Sequence, residues 1–153
     1  MIETRADVTL PVTPEEAFAV VADIEHADWL PAIRRLRHIG GPSGGVGARY
    51  EVEAGLVGRH LRGVLVCTEL TPPIRMVLTL EEGLDLTLEV TIRKVTGGCS
   101  VVMAARYSVS GRPFAGAVEL ASQGAARRET ARACEQLAAR FGRKSGSVES
   151  AAR

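Results

Sequence analysis

A chain of 153 residues is expected to form one domain large enough to bury a core. With 46% hydrophobic residues, 24% charged residues and a net charge of +1, it reads as an ordinary globular protein with no global field for nucleic acid or anionic lipid. The 4% aromatic content leaves little for base stacking, and three widely spaced cysteines (Cys67, Cys99, Cys134) make neither a disulfide framework nor a metal motif.

In chain order, Ile2 to Leu10 alternates, with Ile2, Thr4, Ala6, Val8 and Leu10 on one face and Glu3, Arg5 and Asp7 on the other. This predicts a half-buried strand, ended by Pro11. Thr13-Pro14-Glu15-Glu16 then starts a helix, with Thr at the cap, Pro at the first position and Glu three after the cap. The helix is expected to run to about Ala22 and to bury Ala17, Phe18 and Val21. A shorter helical turn follows from Ile24 to Trp29. Strands are predicted at Ile33–Ile39, Ala48–Ala54, Arg59–Leu70 and Arg75–Leu80, with a glycine-rich loop at Gly40–Gly47.

Leu84 to Ile92 carries the cleanest period-two signal, and Thr96-Gly97-Gly98 turns it into a last strand at Cys99–Ser110. A long helix is predicted from Ala115 to Phe141, and the polar residues 142–153 are expected to be a disordered tail beyond a domain of residues 1–141. That helix is slim. Between Ala121 and Gln136 it has no Leu, Ile, Val, Met or aromatic residue, while the strands before it offer a broad aliphatic face. Native interiors are close-packed, so a thin helix over a wide face either sits very near it or leaves a space. An apolar space is what a small-molecule site needs.

The polar candidates are few. Gly40–Gly47 lacks the Lys-Ser/Thr pair and following helix of a phosphate loop, so an inter-strand loop is expected. Glu51 and Glu53 share a strand face and are expected to be solvated. His60 and Arg62 reach a pocket rim if their strand turns Val64, Val66 and Thr68 inward, and reach solvent if Leu61, Gly63, Leu65 and Cys67 point in. Both faces are apolar, so alternation does not choose. Tyr50 and Tyr107 fall on apolar faces and either orient a ligand or belong to the core. His60, Arg62, Tyr50 and Tyr107 are therefore the candidate catalytic groups, and no metal site is expected.

Several stretches carry a family resemblance: Val12 to Phe18, Asp23-Ile24-Glu25 with Trp29-Leu30-Pro31, Glu69 to Pro73, Gly97-Gly98-Cys99 between two strands, and the single closing helix. In this order they resemble the START-like superfamily, also called SRPBCC or helix-grip proteins. Asp23-Ile24-Glu25 and the stretch from Leu86 to Phe114 are similar to its polyketide cyclase/dehydrase branch. The resemblance implies an α+β helix-grip fold: a curved antiparallel sheet wrapped around a long C-terminal helix, with two short helices after the first strand. It also implies an internal cavity. Its walls would be Val52, Val64, Val66 and Thr68 with Tyr50; Leu86, Leu88, Val90 and Ile92; Val101, Met103, Ala105 and Tyr107; and, on the helix, Ala121 and Gly124.

The implied function is binding of a hydrophobic small molecule, most simply a polyketide-like biosynthetic compound, with cyclisation or dehydration as the associated chemistry and no cofactor. The alternative is a non-catalytic carrier of lipid or another hydrophobic ligand. The strand from Arg62 to Leu70 puts no arginine at mid-cavity and no tryptophan follows Trp29, which departs from the aromatase/cyclase pattern and places binding ahead of catalysis. No nucleic acid and no membrane insertion are expected, a homodimer is allowed for, and a cytoplasmic setting is the default, since no apolar run reaches spanning length.

Overall fold

A computed structural model describes residues 2–56, 59–81, 84–109 and 124–141. The described strands are β1 (Ile2–Leu10), β2 (Ile33–Gly40), β3 (Arg49–Leu56), β4 (Arg59–Thr71), β5 (Arg75–Glu81), β6 (Leu84–Val95) and β7 (Gly98–Val109). Helix α1 (Pro14–Ala22) and a 3-10 turn (Ile24–His26) sit between β1 and β2, and helix α2 spans residues 124–141. The start of the long helix expected from Ala115, with Ala121, and the tail 142–153 lie outside the described residues.

All seven strands form one antiparallel sheet in the order β1-β7-β6-β5-β4-β3-β2. The meander from β2 to β7 follows from connections too short for a crossover, which allow only antiparallel neighbours. The docking of β1 on β7 is non-local, with Ile2 opposite Tyr107 and Leu10 opposite Cys99. Gly98 makes this possible: a Cβ there would stand 1.9 Å from the Leu10 carbonyl oxygen. This is the α+β helix-grip architecture.

The capping residues act as expected. The Thr13 hydroxyl accepts from the Glu16 N–H at 3.1 Å, satisfying one of the first-turn donors of α1. Ala17, Phe18 and Val21 are buried. Helix α1 packs on β6 and β7, with its first turn beside Ile92 and Glu16 near Cys99. On α2 the buried residues are Ala126, Thr130, Ala133, Cys134 and Leu137, a stripe at helical spacing. Arg127 and Arg128 point outward. Near the end of α2, Arg140 donates to Asp28 at 2.8 Å and to the His26 carbonyl at 3.1 Å, clamping it to the 3-10 turn.

Strand β4 resolves the open question of its facing. Gly63, Leu65 and Cys67 are buried, while His60, Arg62, Val64, Val66 and Thr68 belong to the convex face. The expectation that Val64, Val66 and Thr68 line a cavity is thereby corrected. The convex face is laced with ion pairs: Arg35, His60 and Arg62 converge on Glu53, Arg37 pairs with Glu51, Arg49 with Glu81, and Arg75 with Glu69 and Glu89. Cross-strand register brings these partners opposite one another (Arg62 to Glu53, Arg37 to Glu51), and their need for water settles which side faces out.

Candidate functional site: a cavity under the closing helix

A cavity of ≈ 90 Å³ lies between α2 and the concave face of the sheet. The sheet contributes Val52 and Ala54 from β3, Leu65 from β4, Leu78 and Leu80 from β5, Leu86 and Leu88 from β6, and Met103, Ala105 and Tyr107 from β7. Ala133, Thr130 and Glu129 close it from α2, and the Leu30–Ile33 segment closes one side. The wall is almost wholly apolar. Its polar groups among the described residues are Tyr107, Thr130 and Glu129.

These three gather at one place. The Thr130 hydroxyl donates to the Ala126 carbonyl at 3.0 Å, the i−4 bond open to a helical threonine. Thr4 of β1 hydrogen-bonds the same Thr130 oxygen. Thr130 is also the hydrogen-bond partner of the Tyr107 phenol. Burial pushes the Tyr107 phenol above its ordinary value, and the nearby Glu129 carboxylate adds to the shift, so Tyr107 is neutral at physiological pH. One Glu129 oxygen, Oε1, faces Arg132 at 3.6 Å across the helix surface. The other, Oε2, is fully buried and has no hydrogen-bond partner among the described residues.

Of the expected walls, Val52, Leu86, Leu88, Met103 and Ala105 line the cavity, as does Tyr107. Val90, Ile92 and Val101 are buried on the same face but lie outside the lining, because α1 fills that end of the sheet. Gly124 is also outside it; a Cβ there would meet only the Arg128 guanidinium at 3.5 Å, on α2 itself. Ala121 lies outside the described residues.

Tyr50 is buried, but its hydroxyl accepts from the Gly44 N–H at 3.1 Å and its ring packs 5.5 Å from His38. It therefore pins the Gly40–Gly47 loop and is not a cavity residue. His38 and Ser43 add to that anchorage through the Gly41 carbonyl at 2.9 Å and Glu25 at 3.1 Å. The His60 side chain is 58% exposed and the Arg62 side chain 79% exposed, 3.6 and 3.4 Å from Glu53 on the convex face. Neither reaches the cavity. The sulfhydryls of Cys67, Cys99 and Cys134 are all buried, and burial raises the pKa of each, Cys134 to about 11.

Glu129 and Thr130 were not foreseen. The signal for them was present: Glu129 lies three residues after Ala126 and four before Ala133, on the shoulder of the inward stripe.

The family model described as "Polyketide cyclase / dehydrase and lipid transport" matches residues 1–142. The chain belongs to this family. No curated protein matches it. Among solved structures it is similar to a Thermus thermophilus protein, TTHA0849, with a TM-score of 0.79 at 18% identity, covering 94% of this chain and 99% of that one. It is similar as well to the Zhui aromatase/cyclase from a Streptomyces species, with a TM-score of 0.75 at 12% identity over 93% and 94% of the two chains. A START superfamily protein from Mycobacterium smegmatis gives 0.72 at 10% identity over 92% and 97%. Identities this low speak for the shared fold alone. For the family member described here, fold and cavity agree on a coarse function, the handling of a hydrophobic small molecule. No helix among the described residues is long and apolar enough to cross a membrane.

Proposed function

We propose that the protein binds a hydrophobic, polyketide-like biosynthetic compound in the cavity beneath α2, as a carrier in the first instance. The observation that carries this reading is the near-total apolarity of a wall that a small-residue helix leaves unfilled. Drug-sized pockets run to about 300–1,000 Å³. At ≈ 90 Å³ the resting cavity holds one ring or chain end, so a longer ligand would widen it beside Leu30–Ala32, the irregular segment before β2. Cyclisation or dehydration is the second reading. It would draw mainly on confinement, which can supply much of a barrier reduction when it holds a flexible chain in a reactive fold. The single phenol, threonine and carboxylate of the wall are a small inventory for acid–base chemistry, and this favours the carrier.

The test is an organic extract of the protein purified from its own cells, analysed by mass spectrometry, alongside an NMR titration with benzene. A polyketide-type compound in the extract supports the proposal, and a membrane lipid redirects it to lipid transfer. An empty extract together with no benzene uptake overturns it. Ala133→Leu fills the space with a change in stability of no more than about 1 kcal/mol, because the added carbons enter a void. Benzene binding is expected to be lost in that variant.

A further inference from the structure

The binding reading above says that a hydrophobic molecule enters; resting on it, the wall's own hydrogen bonds decide which part of that molecule can enter. Each of the three polar side chains in the wall is engaged or sealed. The Thr130 hydroxyl is held by the Ala126 carbonyl and by Thr4, and the Tyr107 phenol is paired with Thr130. Glu129 turns Oε1 toward Arg132 on the outer surface of α2, while Oε2 is packed too tightly for a ligand atom to touch it.

The backbone adds nothing. Strands β3 to β7 each have a hydrogen-bonded neighbour on both sides, so their N–H and C=O groups lie in the sheet and not toward the space. The N–H and C=O groups of α2 bond along the helix. Leu30–Ala32, the irregular part of the wall among the described residues, is tied off as well. The Leu30 N–H donates to the Ala27 carbonyl at 3.1 Å, the Leu30 carbonyl accepts from Ile33 at 3.2 Å, and the Ala32 carbonyl accepts from Gly55 at 2.8 Å. Pro31 has no N–H to offer. A buried water needs several polar partners, so a space walled in this way is dry.

We propose that the cavity is a socket for the unoxygenated end of its ligand: a phenyl-sized ring or a short alkyl terminus enters, and every hydroxyl, keto or carboxylate group stays outside. Hydrocarbon entering the dry space gains dispersion contacts with Leu78, Leu86, Leu88 and Met103 and gives up no hydrogen bond. An oxygen entering it gives up its bonds to water and meets no partner. A polyketide-like compound therefore binds with its hydrocarbon end inward and its oxygenated part toward solvent, and a compound oxygenated at every end is rejected.

The test is NMR titration of the intact protein with toluene and phenol, which differ by a methyl for a hydroxyl, judged against their transfer from water to octanol, a solvent that does hydrogen-bond. Phenol is expected to fall short of toluene by at least about tenfold more than octanol transfer predicts. The same hydroxyl moved to the far end of the chain of butylbenzene is expected to cost no more than octanol transfer predicts, because there it stays in water. In Met103→Gln, which keeps the side-chain length and places an amide in the wall, phenol is expected to recover at least about tenfold relative to toluene. The two wild-type comparisons stand by themselves if that variant does not fold. Phenol binding as well as octanol transfer predicts, an equal penalty at the far end of the chain, or a folded Met103→Gln protein with no recovery overturns the socket. Toluene binding in any of these cases leaves the binding reading intact, whereas failure of toluene and butylbenzene overturns both.

Discussion

The two ends of the concave face are built from the same strands and nearly the same residues, yet one is solid and the other hollow. At the solid end, Val90 and Ile92 of β6 and Val101 of β7 lie in the core with Ala17, Phe18 and Val21 of α1. At the hollow end, Leu86, Leu88, Met103 and Ala105 of the same two strands face Thr130 and Ala133 of α2. The sheet therefore does not make the cavity. The covering helix does, by the volume of what it turns inward. A phenylalanine and a valine fill one end; an alanine and a threonine cannot fill the other.

The largest effect that sharpens this contrast is expected from Phe18→Ala. It should cost about 3–5 kcal/mol in urea unfolding, because it opens a void in a packed site. Leu88→Ala, at an already half-buried cavity wall, should cost visibly less, about 1–2 kcal/mol, since fewer partner contacts are lost. Equal costs would break the contrast between the ends.

The next effect tests whether the α2 stripe is dry. The unfolded Cys134 thiol titrates near 9 and the folded one near 11. Below pH 9 both states hold the proton and stability is unaffected. Between pH 9 and 11 the unfolded state ionises first, so stability falls as pH rises. Wild type should lose up to about 3 kcal/mol more than Cys134→Ala over that window, measured by unfolding at each pH. Parallel pH curves would mean that water reaches the stripe.

Thr130→Val asks whether the polar cluster helps hold α2 on β1. It leaves the Thr4 hydroxyl without its acceptor and should cost about 1–2 kcal/mol, with hydrogen exchange in α2 becoming faster. The smallest effect is expected outside. His60→Ala and Arg62→Ala remove exposed pairs with Glu53 and should each change stability by no more than about 0.5 kcal/mol. Benzene uptake should be unaltered in both; a loss would return these residues to the site.

Much of this architecture was legible in the chain. Period-two runs located β1, β6 and β7, turn residues separated the strands between them, and Thr13-Pro14 with Glu16 marked α1 to the residue. The slim helix was legible too, and it foretold the space. The strand facing was not. On β4, Val64 and Val66 alternate with Leu65 and Cys67, so hydrophobicity is equal on both sides and period two has no preferred phase. Tyr50 showed the same ambiguity, since a buried tyrosine serves a loop as readily as a ligand.

Local pattern was enough for the strands, for the antiparallel succession from β2 to β7 and for the small volume of the covering helix, because these depend on neighbours a few residues apart. Long-range packing settled which residues face one another, and it laid β1 against β7. Ion pairs across β2, β3 and β4 turned His60 and Arg62 outward, α1 claimed Val90, Ile92 and Val101, and the crossing of α2 over β1 and β7 set Glu129 and Thr130 beside Tyr107. Those outcomes rest on contacts between residues far apart in the chain, whose energies no local pattern contains.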